Sequence, residues 1–346
     1  MAETGISDKN INSIQILRGV AATSVVYWHI DAIPSFGSFG VEIFFVISGF
    51  VMALITSTNR NPSKFLSDRI SRIVPLYWVL TTGFLIVLAL YPHLTNSTTF
   101  NIPNYLKSLF FIPYFRENGK MFPLLFVGWT LNYEMFFYAC ITISLVVSKK
   151  HPLILTSIIL ASVFVLFGKL IDNVTLNAFF SNPQIFEFIL GIIAYQVYKL
   201  RLVGNVPKYV FFLLGISSYV FMAFAQIYAV PASGLVLYGL PSFLLIISCV
   251  ELETLMRGHL ANFLKSIGDA SYATYLSHAF VVDGTIKIVF EKYNLINPYT
   301  PFGVSFIVST ALIAGYIIYR TLDKPLSRLC RRKLGSTFPR LYGRYQ

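Results

Sequence analysis

Charge is what this chain lacks. Across its 346 residues, Asp, Glu, Lys and Arg together make up 12%. An average soluble domain carries about 25%. A surface so poor in charge cannot face water, which excludes a soluble globular fold. Acids are scarcer than bases, 15 against 27, for a formal net charge of +12. Cysteine is nearly missing. Cys140, Cys249 and Cys330 fall in apolar segments or near the C-terminal end, so no disulfide framework is expected. A basic n-region and a small-residue cleavage site are also missing around the first apolar run. No cleavable signal peptide is therefore expected, and that first segment should be retained. Internal repeats, low-complexity tracts and a soluble domain are not legible.

What is abundant is apolar. Hydrophobic residues make up 55% of the chain, and its mean hydropathy is +0.67. Stretches of about 17–25 apolar residues, long enough to cross a bilayer core as a helix, recur with polar gaps. Ten are found, at 13–31, 38–58, 73–92, 124–147, 153–171, 183–199, 208–228, 232–250, 271–290 and 302–321. The expected fold is all-α, a polytopic membrane protein of about ten transmembrane helices. In that layout 20 of the 27 basic residues collect on one side. They are Lys9, Arg60, Lys64, Arg69, Arg72, Lys149, Lys150, Lys199, Arg201, Lys208, Arg257, Lys265 and the eight from Arg320 to Arg344. Basic residues gather on the cytoplasmic side, so both termini are expected in the cytoplasm. The net charge thus reads as a membrane feature, and no nucleic-acid partner is expected. A basic inner face suits anionic headgroups or a polyphosphorylated cytosolic ligand. The long connection at 93–123 is expected outside, with its apolar piece NYLKSLFFIPYF lying along the interface or re-entering the protein.

Arg18 and His29 lie in the first segment, INSIQILRGVAATSVVYWHI. Ionisable side chains within a span are costly and usually functional. Eleven residues at about 100° each close three turns, so both point from one helix face, about 16 Å apart along it. The bland alternative makes Arg18 a snorkelling topology anchor and His29 a satisfied interfacial group. In FGSFGVEIFFVISGF, Gly37, Gly40 and Gly49 allow close helix approach. They do not account for Glu42, expected at the depth of His29 on an antiparallel neighbour. Glu42 could orient the imidazole and stabilise its protonated form, with Asp31 the rival partner.

Four further motifs carry unusual polar groups. In KFLSDRISRIVPLYW, Arg69 and Arg72 share a turn at the inner entrance of the third span. Guanidinium forks grip phosphate oxygens in pairs, although positive-inside anchoring also explains them. Pro75 is expected at the start of that span or at a kink. GWTLNYEMFFY places Glu134 well inside the fourth span, with Trp129, Tyr133 and Phe137 at four-residue steps. A buried carboxylate needs a partner or a proton, and an ion pair with Arg18, Arg69 or Arg72 is the structural alternative. Glu187 in the sixth span is similar but lacks polar company. In GDASYATYLSHAF, Ser271, Tyr275 and His278 form one polar stripe facing protein or water. Interhelical hydrogen bonding alone would explain it. In TLDKPLSR, Asp323 and Lys324 are expected as an inner-surface salt-bridge cap.

The order of motifs is more specific than any one of them. Arg18 with ten residues before His29, then GVEIFFVISGF, RISRIVPLYW, WTLNYEMFFY, SYATYLSH and LDKP, together resemble the acyltransferase 3 family. These are integral membrane acyltransferases, mostly bacterial, and the resemblance runs from about residue 12 to 328. Without an appended periplasmic esterase-like domain, the chain is most similar to the exopolysaccharide-modifying members. Glu42 stands where the family pattern commonly has Asp. The expected organisation is one transmembrane domain over 1–330 and a basic cytoplasmic tail over 331–346.

The resemblance implies transfer of an acyl group, usually acetyl, from cytoplasmic acetyl-CoA to a hydroxyl of an envelope or secreted glycan. It places the chain in the bacterial cytoplasmic (inner) membrane, with acyl-CoA, a glycan acceptor, lipids and polysaccharide-biosynthesis proteins as partners, and implies no metal. His29 would act as general base, or as a covalent acyl carrier. Imidazole suits the first role because it titrates near neutral pH. Glu42 and Glu134 complete the catalytic candidates. Arg18, Lys64, Arg69 and Arg72 would hold the CoA phosphates. Ser48, Trp129, Tyr275 and His278 are candidates for substrate binding or for the oxyanion donor. Ala22 and Val25, between Arg18 and His29, would line the acetyl group's path. The alternatives are succinyl or other acyl transfer on the same scaffold, a proton-coupled transporter or flippase of glycan precursors, and a non-enzymatic partner of a polysaccharide synthase.

Overall fold

The computed structural model describes residues 11–91, 101–170, 172–293 and 297–337. Lys9, Arg340 and Arg344 of the basic set, and residues 93–100 of the long connection, lie outside the described residues. Among those described, every regular element is helical. The helices are α1 (Asn12–Trp28), α2 (Gly40–Thr58), α3 (Pro62–Leu90), α4 (Ile102–Leu109), α5 (Trp129–Val147), α6 (Pro152–Leu170) and α7 (Val174–Phe180). They continue with α8 (Ile185–Lys199), α9 (Lys208–Ile227), α10 (Leu240–Glu251), α11 (His259–Asp269), α12 (Ser271–Thr285), α13 (Pro301–Ile318) and α14 (Lys324–Thr337).

Each of the ten apolar segments holds a helix. Six are long and apolar enough to cross a membrane: Gly40–Thr58, Pro62–Leu90, Phe126–Val147, Val174–Lys199, Lys208–Ile227 and Pro301–Leu334. Pro152–Phe167 and Leu235–Glu251 are shorter apolar helices. The chain is thus an all-helical, multi-pass membrane protein with six candidate spans among the described residues.

Local chemistry moves one boundary. The third segment was expected to begin at 73, but α3 begins at Pro62. Asn61 caps it, its side-chain oxygen accepting from Lys64 N at 2.9 Å, and Pro62 supplies the preset φ of a first helical position. Arg69 and Arg72 therefore lie two to three turns inside a 29-residue helix, just before its apolar run, and Pro75 lies within it. Likewise α14 runs through residue 331, where the cytoplasmic tail was expected to start.

The helices form two compact units. The first contains Met1–Asn59, Phe186–Tyr272 and Val281–Ile313. In it α1 packs on α2, α10 and α11, and α10 on α9. The ends of α1, α2, α8 and α10 nearest Ile11, Ser57, Lys199 and Val250 line one cavity, so those four termini share one end of the unit. Near the C-terminus of α1, Val26 and Ile30 pack with Val282, Ile307 and Ala311. The loop between α1 and α2 is tied to α9, since Gln226 accepts from Gly37 N at 2.8 Å and donates to Ser38 Oγ at 2.7 Å.

The second unit contains Arg60–Ile185, Ala273–Phe280 and Ala314–Gln346. Here α3 packs on α4, α5 and α14, and α6 on α5 and α7. The described part of the long connection forms α4 and a loop clamped by Arg116. Its guanidinium donates to the carbonyls of Phe122 at 3.1 Å and Leu124 at 2.8 Å, and to that of Pro123. Burial pulls the Arg116 pKa below its ordinary value and pushes that of its neighbour Tyr114 up.

Candidate functional site

The first unit holds Arg18, His29, Glu42 and Ser48. His29 terminates α1 as its C-cap. Its Nδ1 lies 2.9 Å from the carbonyl of Val25 one turn earlier. A carbonyl only accepts, so Nδ1 carries the hydrogen and, in the neutral ring, Nε2 carries the lone pair. The backbone thereby selects which nitrogen can act as a base. Glu42 occupies the first turn of α2, where the helix dipole favours a carboxylate.

Glu42 has company the sequence did not reveal. It acts electrostatically on Glu187 of α8 and on Tyr238. Glu187 is 1% exposed, and its Oε2 has no hydrogen-bond partner among the described residues. Glu187, expected to lack polar company, thus has a carboxylate neighbour. Its neighbours come from other helices, which a reading along one span cannot see. Asp283 of α12 was missed altogether. It lies within electrostatic reach of His29, Asp31 and Lys287, which puts a carboxylate of α12 near the imidazole. A lone Asp in an apolar segment was the available signal.

At the other end of α1, Arg18 Nε donates to Ser271 Oγ at 3.1 Å. The polar stripe of α12 thus divides, with Ser271 serving the first unit. Between Arg18 and His29, Ala22 is 1% and Val25 2% exposed. A side chain at Gly40 would meet Val25 Cγ2 at 2.8 Å, so α2 covers that face. The path expected along Ala22 and Val25 is closed in this conformation.

The second unit holds Lys64, Arg69, Arg72, Trp129, Glu134, Tyr275 and His278. Arg72 Nη1 bonds Asp323 Oδ2 at 2.6 Å, and Asp323 is 0% exposed. Ser327 adds a longer hydrogen bond to the same carboxylate. One helical turn away, Asp68 accepts from Arg331 of α14 at 3.1 Å. The expected cap is therefore built differently. Asp323 takes its cation from α3, while Lys324 lies over the Tyr319 ring. Lys64 is exposed, and Arg69 Nε is buried with no hydrogen-bond partner among the described residues.

Within α5, Glu134 accepts from the Tyr138 hydroxyl at 2.5 Å. Trp129 meets Tyr133 edge-on at 6.1 Å, and Tyr133 stacks on Phe179 at 4.3 Å. Tyr275 donates to the Val127 carbonyl at 3.1 Å and shares a 3.0 Å hydrogen bond with Thr130. His278 is 0% exposed, with Nδ1 2.6 Å from the Tyr275 carbonyl. The Tyr275 hydroxyl thus joins α12 to the start of α5, while the His278 ring bonds back to its own helix.

The site residues therefore fall into sets with separable chemistry. One has an imidazole with carboxylates around it. Another has guanidinium groups, one of them locked to a buried acid. A third is an aromatic and hydroxyl network along α5. An imidazole can act as a base toward a hydroxyl, and guanidinium groups can bind phosphate oxygens.

Comparison with known proteins places the chain in a family. The chain is 33% identical over 304 residues to the exopolysaccharide production protein ExoZ of Rhizobium meliloti (strain 1021), spanning 86% of this chain and 92% of that one. It is 28% identical over 197 residues to ORF330 of the Acidianus two-tailed virus, named as a candidate acetyltransferase, spanning 53% of this chain and 57% of that one. No solved structure matches. A sequence model of the acyltransferase domain matches residues 11–320, nearly all the described helices, and the chain belongs to the acyltransferase 3 family.

Proposed function

We propose that this enzyme transfers an acetyl group from acetyl-CoA to a hydroxyl of a secreted or envelope polysaccharide, or of its lipid-linked precursor. The observation that carries the reading is the His29–Val25 hydrogen bond, which leaves Nε2 as the nitrogen with the lone pair. Nε2 takes the proton from the sugar hydroxyl as its oxygen attacks the thioester carbonyl. The tetrahedral intermediate collapses, the C–S bond breaks, and the imidazolium returns the proton to the departing thiolate. Glu42 stabilises the charged ring, with Glu134 a second catalytic carboxylate. Arg18, Lys64, Arg69 and Arg72 hold the donor phosphates. Ser48, Trp129, Tyr275 and His278 contact substrate or the oxyanion. The donor arrives from the cytoplasm, where both termini and the tail from 331 lie, and the acceptor is handled on the far side of the bacterial inner membrane. One acyltransferase domain, 1–330, spans both units. The names of the two relatives support the polysaccharide acceptor and the acetyl group respectively.

The test is polysaccharide O-acetyl content by NMR in a deletion strain carrying wild type or His29→Ala at matched membrane levels. Wild type is expected to restore the acetyl signals and the variant to lose about 100-fold or more of the activity. Equal acetylation by both would overturn the assignment of His29. Unchanged acetylation on deletion would overturn the acceptor.

A further inference from the structure

The cavity at the Asn12 end of the first unit belongs to none of the residues assigned above. It holds about 600 Å³. Its wall combines apolar groups (Ile11, Leu54, Val250) with the rings of Tyr195 and Tyr198. Its rim carries two exposed cations, Lys199 and Arg201, at the C-terminal end of α8 and just past it. Leu200 and Leu202, which flank Arg201, are 63% and 66% exposed, so the same rim presents apolar side chains outward.

Two acids also line the space, and both are already engaged. Glu253 accepts from the backbone N–H groups of Asn12 and Ser13 at 3.0 and 2.7 Å, so its charge answers the N-terminus of α1. Glu251 lies within electrostatic reach of both Arg201 and Lys208. Counting the lining cations Lys199 and Arg201 against Glu251, and setting Glu253 against the helix end, leaves an excess of one positive charge. The cavity is therefore cationic at its rim, apolar and aromatic in its wall, and formed where four apolar helices end together.

We propose that this cavity binds the headgroup of a membrane glycerophospholipid, its phosphodiester between Lys199 and Arg201 and its acyl chains leaving past Leu200 and Leu202. A phosphodiester is a monoanion that matches the excess charge. Tyrosine rings suit the boundary where headgroup meets hydrocarbon. A bound lipid would tie the ends of α1, α2, α8 and α10 together, so the site stabilises the unit rather than taking part in acyl transfer. The inference does not depend on the donor or acceptor assigned above.

The test is native mass spectrometry of the detergent-purified protein with added phosphatidylglycerol, phosphatidylethanolamine or phosphatidylcholine, paired with thermal melting. Wild type is expected to retain one phospholipid and to melt several degrees higher with it. The Lys199→Ala/Arg201→Ala variant should lose retention at least tenfold and lose the thermal shift. Lys265→Ala, whose side chain pairs with Asp269 on α11, should keep both. Glu251→Gln removes an acid from the wall, should fold, and should favour phosphatidylglycerol over phosphatidylethanolamine. Equal retention by wild type and the double variant would overturn the proposal. So would displacement of the lipid from wild type by free CoA, which would make the cavity a nucleotide site.

Discussion

At the residue scale, two buried acids set the sharpest expectations. Asp323 is fully buried and paired with Arg72, so removing the arginine strands a carboxylate inside the protein. Breaking a buried pair from one side costs about 3–5 kcal/mol, whereas replacing both partners with apolar residues is often neutral. Arg72→Met should therefore lower the melting temperature in detergent far more than Arg72→Met/Asp323→Leu does. Additive losses would mean the two charges do not depend on each other. Glu187 presents the opposite case. Its Oε2 is buried without a hydrogen-bond partner among the described residues, beside a second carboxylate. Such a group costs stability and persists where function needs it. Glu187→Gln keeps the shape and replaces an ionisable carboxyl with an amide that can donate. It should melt higher, by an amount on the order of 1 kcal/mol, while acyl transfer falls. A variant that melts lower with unchanged turnover would make Glu187 a packing residue.

At the element scale, close helix approach is what glycine permits here. A side chain at Gly49 would fall on the Phe188 carbonyl, and one at Gly191 on the Val46 carbonyl, so α2 and α8 cross with their backbones in contact. Backbone cannot step aside as a side-chain tip can. Gly49→Ala and Gly191→Ala should each cost about 1–3 kcal/mol or more, read as loss of the monodisperse peak in fluorescence size-exclusion chromatography. Gly83→Ala in α3, where nothing lies within 4 Å, is the matched control and should be silent. The close approach of α2 was legible in the spacing of Gly37, Gly40 and Gly49. Its partner helix was not, because hydropathy gives the faces of a span and not which spans meet. The same limit separated Arg72 from Asp323, 251 residues apart in sequence. The start of α3 was not legible for a local reason, since the Asn61–Pro62 cap begins the helix well before its apolar run.

At the scale of the whole molecule, the fold class was legible because composition alone forbids a water-facing globule, and the family was legible because six weak motifs stand in one order. Sidedness rests on the basic residues, and the first unit makes it testable. Four helix termini share the Asn12 end, where the basic loops lie, while the turn from His29 to Gly40 joins α1 to α2 at their other ends. If α2 crosses the bilayer, exposed positions at its two ends must face opposite compartments. Single cysteines at Thr58 and Asn205 should label with a membrane-impermeant maleimide only in inside-out vesicles. Those at Ile33 and Asn118 should label only in intact spheroplasts. Labelling of Thr58 and Ile33 from the same side would remove α2 from the spans, and with it the placement of His29 and the donor cations at opposite surfaces. Ala22→Cys and Val25→Cys test the path between them. Both positions are buried, Val25 against α2, so they should resist the reagent at rest. Reactivity that appears only when acetyl-CoA is added would mean that α1 and α2 part during the reaction. Persistent silence would route the acetyl group along another face.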